Sequence, residues 1–179
     1  NPDRETLENA MNSLVGRYMG SGAKKGRSFE WIPNHLQDAQ GQMFPRSMLT
    51  LFYYAAHEEL RISRARDPYI LSPDAFSVAI RKVSENRIME LQEEILWIVD
   101  LRKILAGKLV PVEEDQMIEW INTVQWGQEK PAENSFEILE LLLQLGIVRR
   151  TSDGRIHIPD IYLYGFNMKR KGGIRKPRW

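Results

Sequence analysis

The segment Arg17-Tyr-Met-Gly-Ser-Gly-Ala-Lys-Lys-Gly-Arg27 concentrates glycine and positive charge, the composition of a loop that wraps a phosphate. A Walker A loop needs G-x-x-x-x-G-K-S/T between a strand and a helix. Here Gly26 is followed by Arg27-Ser28, the upstream glycines stand at the wrong distance, and a helical pattern precedes the loop. The pattern predicts a flexible loop from which Lys24, Lys25 and Arg27 meet a phosphate only from the side. Pro45-Arg46 offers a second route to phosphate. A guanidinium at a helix start is always charged and forks onto phosphate oxygens of a nucleotide held by a neighbouring domain. The competing reading pairs Arg46 with a nearby carboxylate such as Asp38.

Other chemistry finds no footing. His35, His57 and His157 are far apart and none stands in an H-E-x-x-H arrangement. His35 and Asp38 are one helical turn apart, the spacing of a local hydrogen bond. Glu58-Glu59 and Glu93-Glu94 read as solvated helix faces. No Ser/His/Asp set is marked by a nucleophile turn. With no cysteine, disulfides, thiol catalysis and Cys-based zinc sites are excluded together. The sequence therefore predicts that this chain is not itself an enzyme.

Charge is distributed unevenly about a net of +1. Arg149 to Trp179 carries nine basic and two acidic residues, whereas the preceding part carries 16 basic and 22 acidic. An acidic body with a basic end suggests an anionic target: nucleic acid, another subunit's acidic face, or bound nucleotide. A solvated, solubilising end is the plainer reading. The candidate nucleic-acid or partner contacts are Arg149, Arg150, Arg155, Lys169, Arg170, Lys171, Arg175, Lys176 and Arg178. Gly172, Gly173 and Pro177 interrupt the last run, which predicts a flexible arm rather than a helix. Trp179 could stack on a base or dock on the body.

These residues are positioned by a mainly α chain. Leu7, Met11, Leu14 and Val15 mark a first helix over about Asp3 to Val15. Ser28 can cap a short helix carrying Phe29, Ile32 and Leu36, which ends near Asp38. Pro45 opens the next helix, to which Met48, Leu49, Phe52, Ala55, Ala56 and Leu60 give a wide apolar face. Ser72-Pro73-Asp74 is a strong helix start. These four helices read as one bundle, residues 1–86.

Arg87 to Leu105 reads as one long helix stopped by Gly107. Leu109-Val110-Pro111-Val112 is extended, Glu113 to Val124 helical, and Asn134 or Ser135 caps a helix ended by Gly146. Ile147-Val148-Arg149-Arg150 and Arg155-Ile156-His157-Ile158 flank Asp153-Gly154, a hairpin signal. Helix, short strand, helix, helix, hairpin is the order of a winged helix, whose third helix usually reads DNA. The expected organisation is a helical bundle, a winged helix over 87–166 with a short β-hairpin wing, and a basic tail over 167–179. The reading helix bears Glu133, Glu137 and Glu140, with no Lys or Arg from Pro131 to Ile147. The DNA backbone repels such a helix, so sequence-specific readout through it is disfavoured. The wing and tail could still touch nucleic acid non-specifically.

Gly26-Arg-Ser-Phe-Glu-Trp31, Asn34-His-Leu-Gln-Asp38 and Phe44-Pro-Arg-Ser47 resemble the segment after the nucleotide-binding core in bacterial P-loop ATPases of the AAA+ and STAND-like kind. Glu137 to Ile158, with Leu-Gly-Ile-Val followed by Asp-Gly-Arg-Ile-His-Ile-Pro159, is similar to the winged helix that closes such proteins. Pro159-Asp-Ile-Tyr162 and Met168-Lys-Arg-Lys-Gly-Gly173 resemble their C-terminal signature. The resemblance covers most of the chain and is loosest over Leu105 to Pro131. It implies a helical lid with a sensor Arg, at Arg46, followed by a winged helix. It also implies roles in regulated assembly, DNA transactions or defence. The P-loop, the Walker B acid and the arginine finger have no counterpart here, so ATP and Mg would belong to a parent ATPase, and the partner would be an upstream or separate P-loop domain. The alternatives are a freestanding winged-helix DNA-binding regulator and a pure protein-interaction module.

The 179 residues suffice for one large domain or two small ones. No apolar run approaches the ~20 residues of a membrane helix, and Asn1 to Glu8 is unlike a signal peptide. No membrane partner and a cytoplasmic home are expected.

Overall fold

The computed structural model describes residues 3–127 and 130–172. The fold is mainly α. It divides into two compact units: Asn1–Leu36 with Met43–Val83, and Gln37–Gln42 with Ser84–Trp179.

The first unit holds α1 (Arg4–Val15), α2 (Ser28–Leu36), α3 (Pro45–Ile62) and the first half of α4 (Pro73–Glu94). Asp3 starts α1 by accepting from the Thr6 N–H at 2.7 Å. The glycine-rich loop is closed on itself: Met19 N–H donates to Gly26 O at 3.0 Å, and Ser28 N–H to Arg17 O at 3.0 Å. Ser28 was expected to cap α2. Instead it is buried, and its hydroxyl donates to Gly16 O at 2.6 Å, tying the ends of the loop together. Trp31, Phe52 and Phe76 from α2, α3 and α4 form the aromatic centre, with edge-to-face contacts at 6.0 and 5.6 Å.

The wide apolar face expected of α3 is a correction. Of the six residues assigned to it, only Ala55 is buried; Met48, Leu49, Ala56 and Leu60 are exposed and Phe52 is half-buried. The buried face is Ser47, Leu51, Ala55, Glu58 and Glu59. The reason lies in the loop that follows. Glu59 accepts from the N–H of Ala65 at 2.7 Å, from the N–H of Ser72 at 2.7 Å, and also from Arg64 N–H and the Ser72 hydroxyl. A buried carboxylate needs such donors, and gathering them fixes which side of α3 faces in. Ser72 also starts α4 as expected, its Oγ accepting from Ala75 N–H at 3.2 Å.

The second unit takes the remainder of α4, then α5 (Ile98–Leu105), β1 (Leu109–Val110), α6 (Glu114–Asn122), α7 (Ser135–Gln144), β2 (Arg149–Arg150), β3 (Ile156–His157), α8 (Asp160–Leu163) and β4 (Lys169–Arg170). The single helix expected over Arg87 to Leu105 is broken: α4 runs unbroken from Pro73 to Glu94, and a turn at 95–97 precedes α5. Neither Gly nor Pro marks the break. Packing explains it. Re-aimed, α5 buries Ile98, Leu101 and Leu105, Trp97 meets Trp126 edge-on at 6.3 Å, and buried Asp100 accepts from Gly127 N–H at 2.8 Å.

Asn134 caps α7 through the Glu137 N–H at 3.0 Å, and α7 buries Ile138, Leu139 and Leu142. Gly146, at φ 68°, ends it; a Cβ there would stand 3.0 Å from Asp38 Oδ2. β2 and β3 pair antiparallel around the turn at Gly154. Val112 bridges to Ile156, so the extended stretch lies along the hairpin. The chain returns through α8 to Gly165, where an added Cβ would come within 2.3 Å of Ser84 O. Only glycine lets this backbone pass α4 so closely.

A second correction concerns the basic end. The arm expected from residue 167 is not loose at its start. Lys169 and Arg170 form β4, parallel to β1 in the register Leu109–Lys169 and Val110–Arg170. Lys171 N–H donates to Val110 O at 2.8 Å. The β1 edge offers the run a hydrogen-bonding partner that a linear pattern of basic residues does not reveal.

Candidate functional site

The basic residues nominated by the sequence meet very different surroundings. Arg150 on β2 is clamped by carboxylates from two helices: its Nε donates to Glu114 at 2.7 Å and its Nη2 to Glu140 at 2.5 Å. These bonds raise the guanidinium pKa further and hold Glu114 below its ordinary value. Arg155 folds back onto Asp153 at 2.9 Å, and that contact, with the Thr151 hydroxyl, depresses the Asp153 pKa. The hairpin therefore displays paired charge.

A third arginine is drawn inward. Arg170 donates to buried Asp160 from Nε at 3.0 Å, and its Nη1 lies 2.9 Å from Nε2 of buried His157. An arginine has only donors; in this contact His157 accepts at Nε2. Arg149, half-buried beside them, is pushed below its ordinary pKa by burial and by the charge of Arg170. β2, β3, α8 and β4 thus gather Arg149, His157, Asp160 and Arg170 into one cluster. Sequence reasoning missed it because the β1–β4 pairing carries Arg170 there, and no local motif announces a parallel pair of two residues each. Lys169 and Lys171 are exposed. Arg175, Lys176, Arg178 and Trp179 lie outside the described residues.

No family model, curated protein or solved structure matches this chain.

Elsewhere, Arg46 is exposed in the first turn of α3, a turn without an acidic residue. Arg46 could meet an anion, but that turn offers no carboxylate to a magnesium ion. Lys24, Lys25 and Arg27 are exposed on the glycine loop, and Arg27 lies 3.4 Å from Glu8. The loop's N–H groups at Lys25 and Gly26 are spent on Gly22 O and Ala23 O, so they form no phosphate cradle. His35 stacks on Trp31 with ring centroids 3.8 Å apart, and His57 lies 4.5 Å from the Tyr53 ring. Among the described residues no group of three His, Asp or Glu side chains could hold a metal ion, and no helix is long and apolar enough to cross a membrane.

Proposed function

We propose that the chain is a non-catalytic module of a P-loop ATPase: a lid-like helical unit followed by a winged helix. It senses nucleotide through Arg46 and contacts a protein partner or, without sequence preference, nucleic acid. The observation that carries this reading is the order α5–β1–α6–α7–β2–β3, with Val112 laid against Ile156 of the hairpin. That order supports the winged-helix reading, a helix-turn-helix followed by a hairpin.

The sequence-reading alternative is weakened by charge. Glu137 and Glu140 lie on α7, and Glu140 is already engaged by Arg150. A phosphate backbone would have to displace that carboxylate to recruit Arg150, and would still meet an acidic helix. The pairing of Arg150 and Arg155 favours the protein-contact version over a regulator that reads DNA.

Two experiments test the reading. In a parent ATPase, Arg46→Ala should impair hydrolysis or nucleotide-dependent switching while circular dichroism stays unchanged. A lost charge-assisted contact to phosphate is worth roughly 1.5–3 kcal/mol. Unchanged turnover and nucleotide affinity would remove Arg46 from the site. For nucleic acid, fluorescence anisotropy on two unrelated duplexes should find weak, sequence-indifferent binding that falls steeply with salt. Removing residues 173–179 should weaken it sharply; the cut is placed there because a cut at Lys169 would also remove β4. Preference for one duplex would restore the regulator, and no binding at any salt would leave the protein-interaction module.

A further inference from the structure

The outward side of α3 is apolar in a way the folded chain does not use. At about 100° per residue, Leu49, Tyr53, Ala56 and Leu60 fall within an arc of about 60°. Their 4-3-4 spacing is that of a seam between two packed helices. The arc lies opposite the buried Ser47, Leu51, Ala55 and Glu58. Leu49 is 73% exposed, Tyr53 59% and Leu60 84%. Single exposed leucines are ordinary surface, but an aligned stripe over three turns marks an interaction face.

Charge decides what fits it. Along one edge of the stripe run Arg46, His57 and Arg61, and Lys82 of α4 continues that edge with its Nζ 5.3 Å over the Tyr54 ring. Arg61 pairs with Glu58, yet its side chain is 71% exposed whereas that of Glu58 is 7% exposed. The cation faces solvent with its counter-charge beneath. The other edge carries Met48 and Phe52, and the Glu59 carboxylate is turned into the 64–72 loop. A second copy of the chain supplies no acid to this arrangement. In an antiparallel pair the basic edges would face each other; in a parallel pair each would face Met48 and Phe52.

We propose that this face of α3 docks an amphipathic helix of another protein, with an apolar seam on Leu49, Tyr53, Ala56 and Leu60 and an acidic edge against Arg61 and Lys82. The mode is helix against helix, read as a row of anchors at helical spacing. Arg46 borders this face, but the docking contacts named here exclude it and the variants below leave it unchanged, so failure of the helix to bind leaves the proposed function standing.

The test uses the whole chain and a labelled designed helix of about 20 residues, with leucine along the seam and glutamate along one edge, beside a twin with lysine in place of each glutamate. Fluorescence anisotropy should give micromolar binding of the acidic helix and at least about tenfold weaker binding of the twin. Leu49→Ser with Leu60→Ser should weaken the acidic helix by at least about tenfold. Lys82→Glu and Arg61→Glu, made singly, should each shrink the difference between the twins. Circular dichroism checks that each variant keeps its helix content. Equal binding of the twins, no binding at millimolar peptide, or undiminished binding by the double serine variant would overturn the proposal. So would sedimentation showing a dimer that the double serine variant dissolves, since the stripe would then belong to a second copy.

Discussion

α7 and α3 are both amphipathic, and they use that property in opposite directions. In α7 the apolar residues Ile138, Leu139 and Leu142 are fully buried, while Glu137 and Glu140 look outward. In α3 two glutamates are among the buried residues, while Leu49 and Leu60 are among the most exposed apolar side chains described. α7 is held by burial of hydrocarbon. α3 is held by Leu51, Ala55 and the grip of Glu59 on the loop after it. In α7 the apolar residues lie mainly in the core, with Phe136 half exposed, whereas in α3 they lie on both faces, so an apolar stripe by itself does not say which way a helix faces.

The largest contrast between them should appear on truncating a leucine. Leu142→Ala opens a cavity in a fully buried site and should cost about 2–5 kcal/mol. Leu60→Ala removes a side chain already in water and should change stability by no more than about 0.5 kcal/mol. Urea unfolding of the two variants measures both. A loss of 2 kcal/mol or more for Leu60→Ala would mean that this face of α3 is covered in solution.

Glu59 is the next point of strain on the comparison. Burial pushes its pKa up, but the Ser72 hydroxyl and the N–H groups of Ala65, Ser72 and Arg64 outweigh burial and hold it below the ordinary glutamate value. A depressed pKa contributes stability that is complete above the unfolded value, roughly 4.3, and is lost as pH falls through the lower folded value. Glu59→Gln turns an amide NH2 toward donors and should cost roughly 1–3 kcal/mol. The variant should also lose part of the wild type's destabilisation below about pH 4. Unfolding curves between acid and neutral pH measure both effects. An unchanged acid response would show that the Glu59 carboxylate is not what seats α3.

What was legible in the sequence follows from the range of the forces involved. Ser72 before Pro73, Asn134 before Ser135 and the Asp153-Gly154 turn are local signals, and each acts within three residues in the folded chain. The facing of α3 was not legible, because Leu51 and Ala55 on one side and Leu49, Ala56 and Leu60 on the other satisfy two phases of the same helical period. The choice between them depends on N–H groups that reach Glu59 only after the loop folds. The break at Ile95 to Trp97 escaped for a related reason: it is made by Trp126 and Gly127, some 30 residues later. Among the site residues, Arg150, Arg155 and Arg170 stand out in the sequence as basic positions, but nothing there marks Glu114, Asp153 and Asp160 as their partners.

A smaller loss than at Leu142 or Glu59 is expected on the outer face of α7, where Arg150 closes a pair of ion pairs. Glu114 stands in the first turn of α6, where a negative charge already favours the helix. Arg150 and both carboxylates are part-exposed, so water screens the attraction. Exposed pairs are worth about 0.2–1 kcal/mol each, and Arg150→Ala should cost no more than about 2 kcal/mol in low salt. The loss should shrink as salt rises, because the Debye length falls from ~10 Å at 0.1 M to ~3 Å at 1 M. Urea unfolding at these two salt concentrations measures it; a larger loss that salt leaves untouched would mean that Arg150 acts by packing its stem rather than by its charge. The same variant sharpens the functional contrast. If Arg150 is committed to Glu114 and Glu140, its removal should leave any nucleic-acid affinity within about twofold, well under the tenfold that 1.4 kcal/mol represents. A drop beyond tenfold would mean that Arg150 leaves its carboxylates for phosphate, and the outer face of α7 would then be as open to a partner as that of α3.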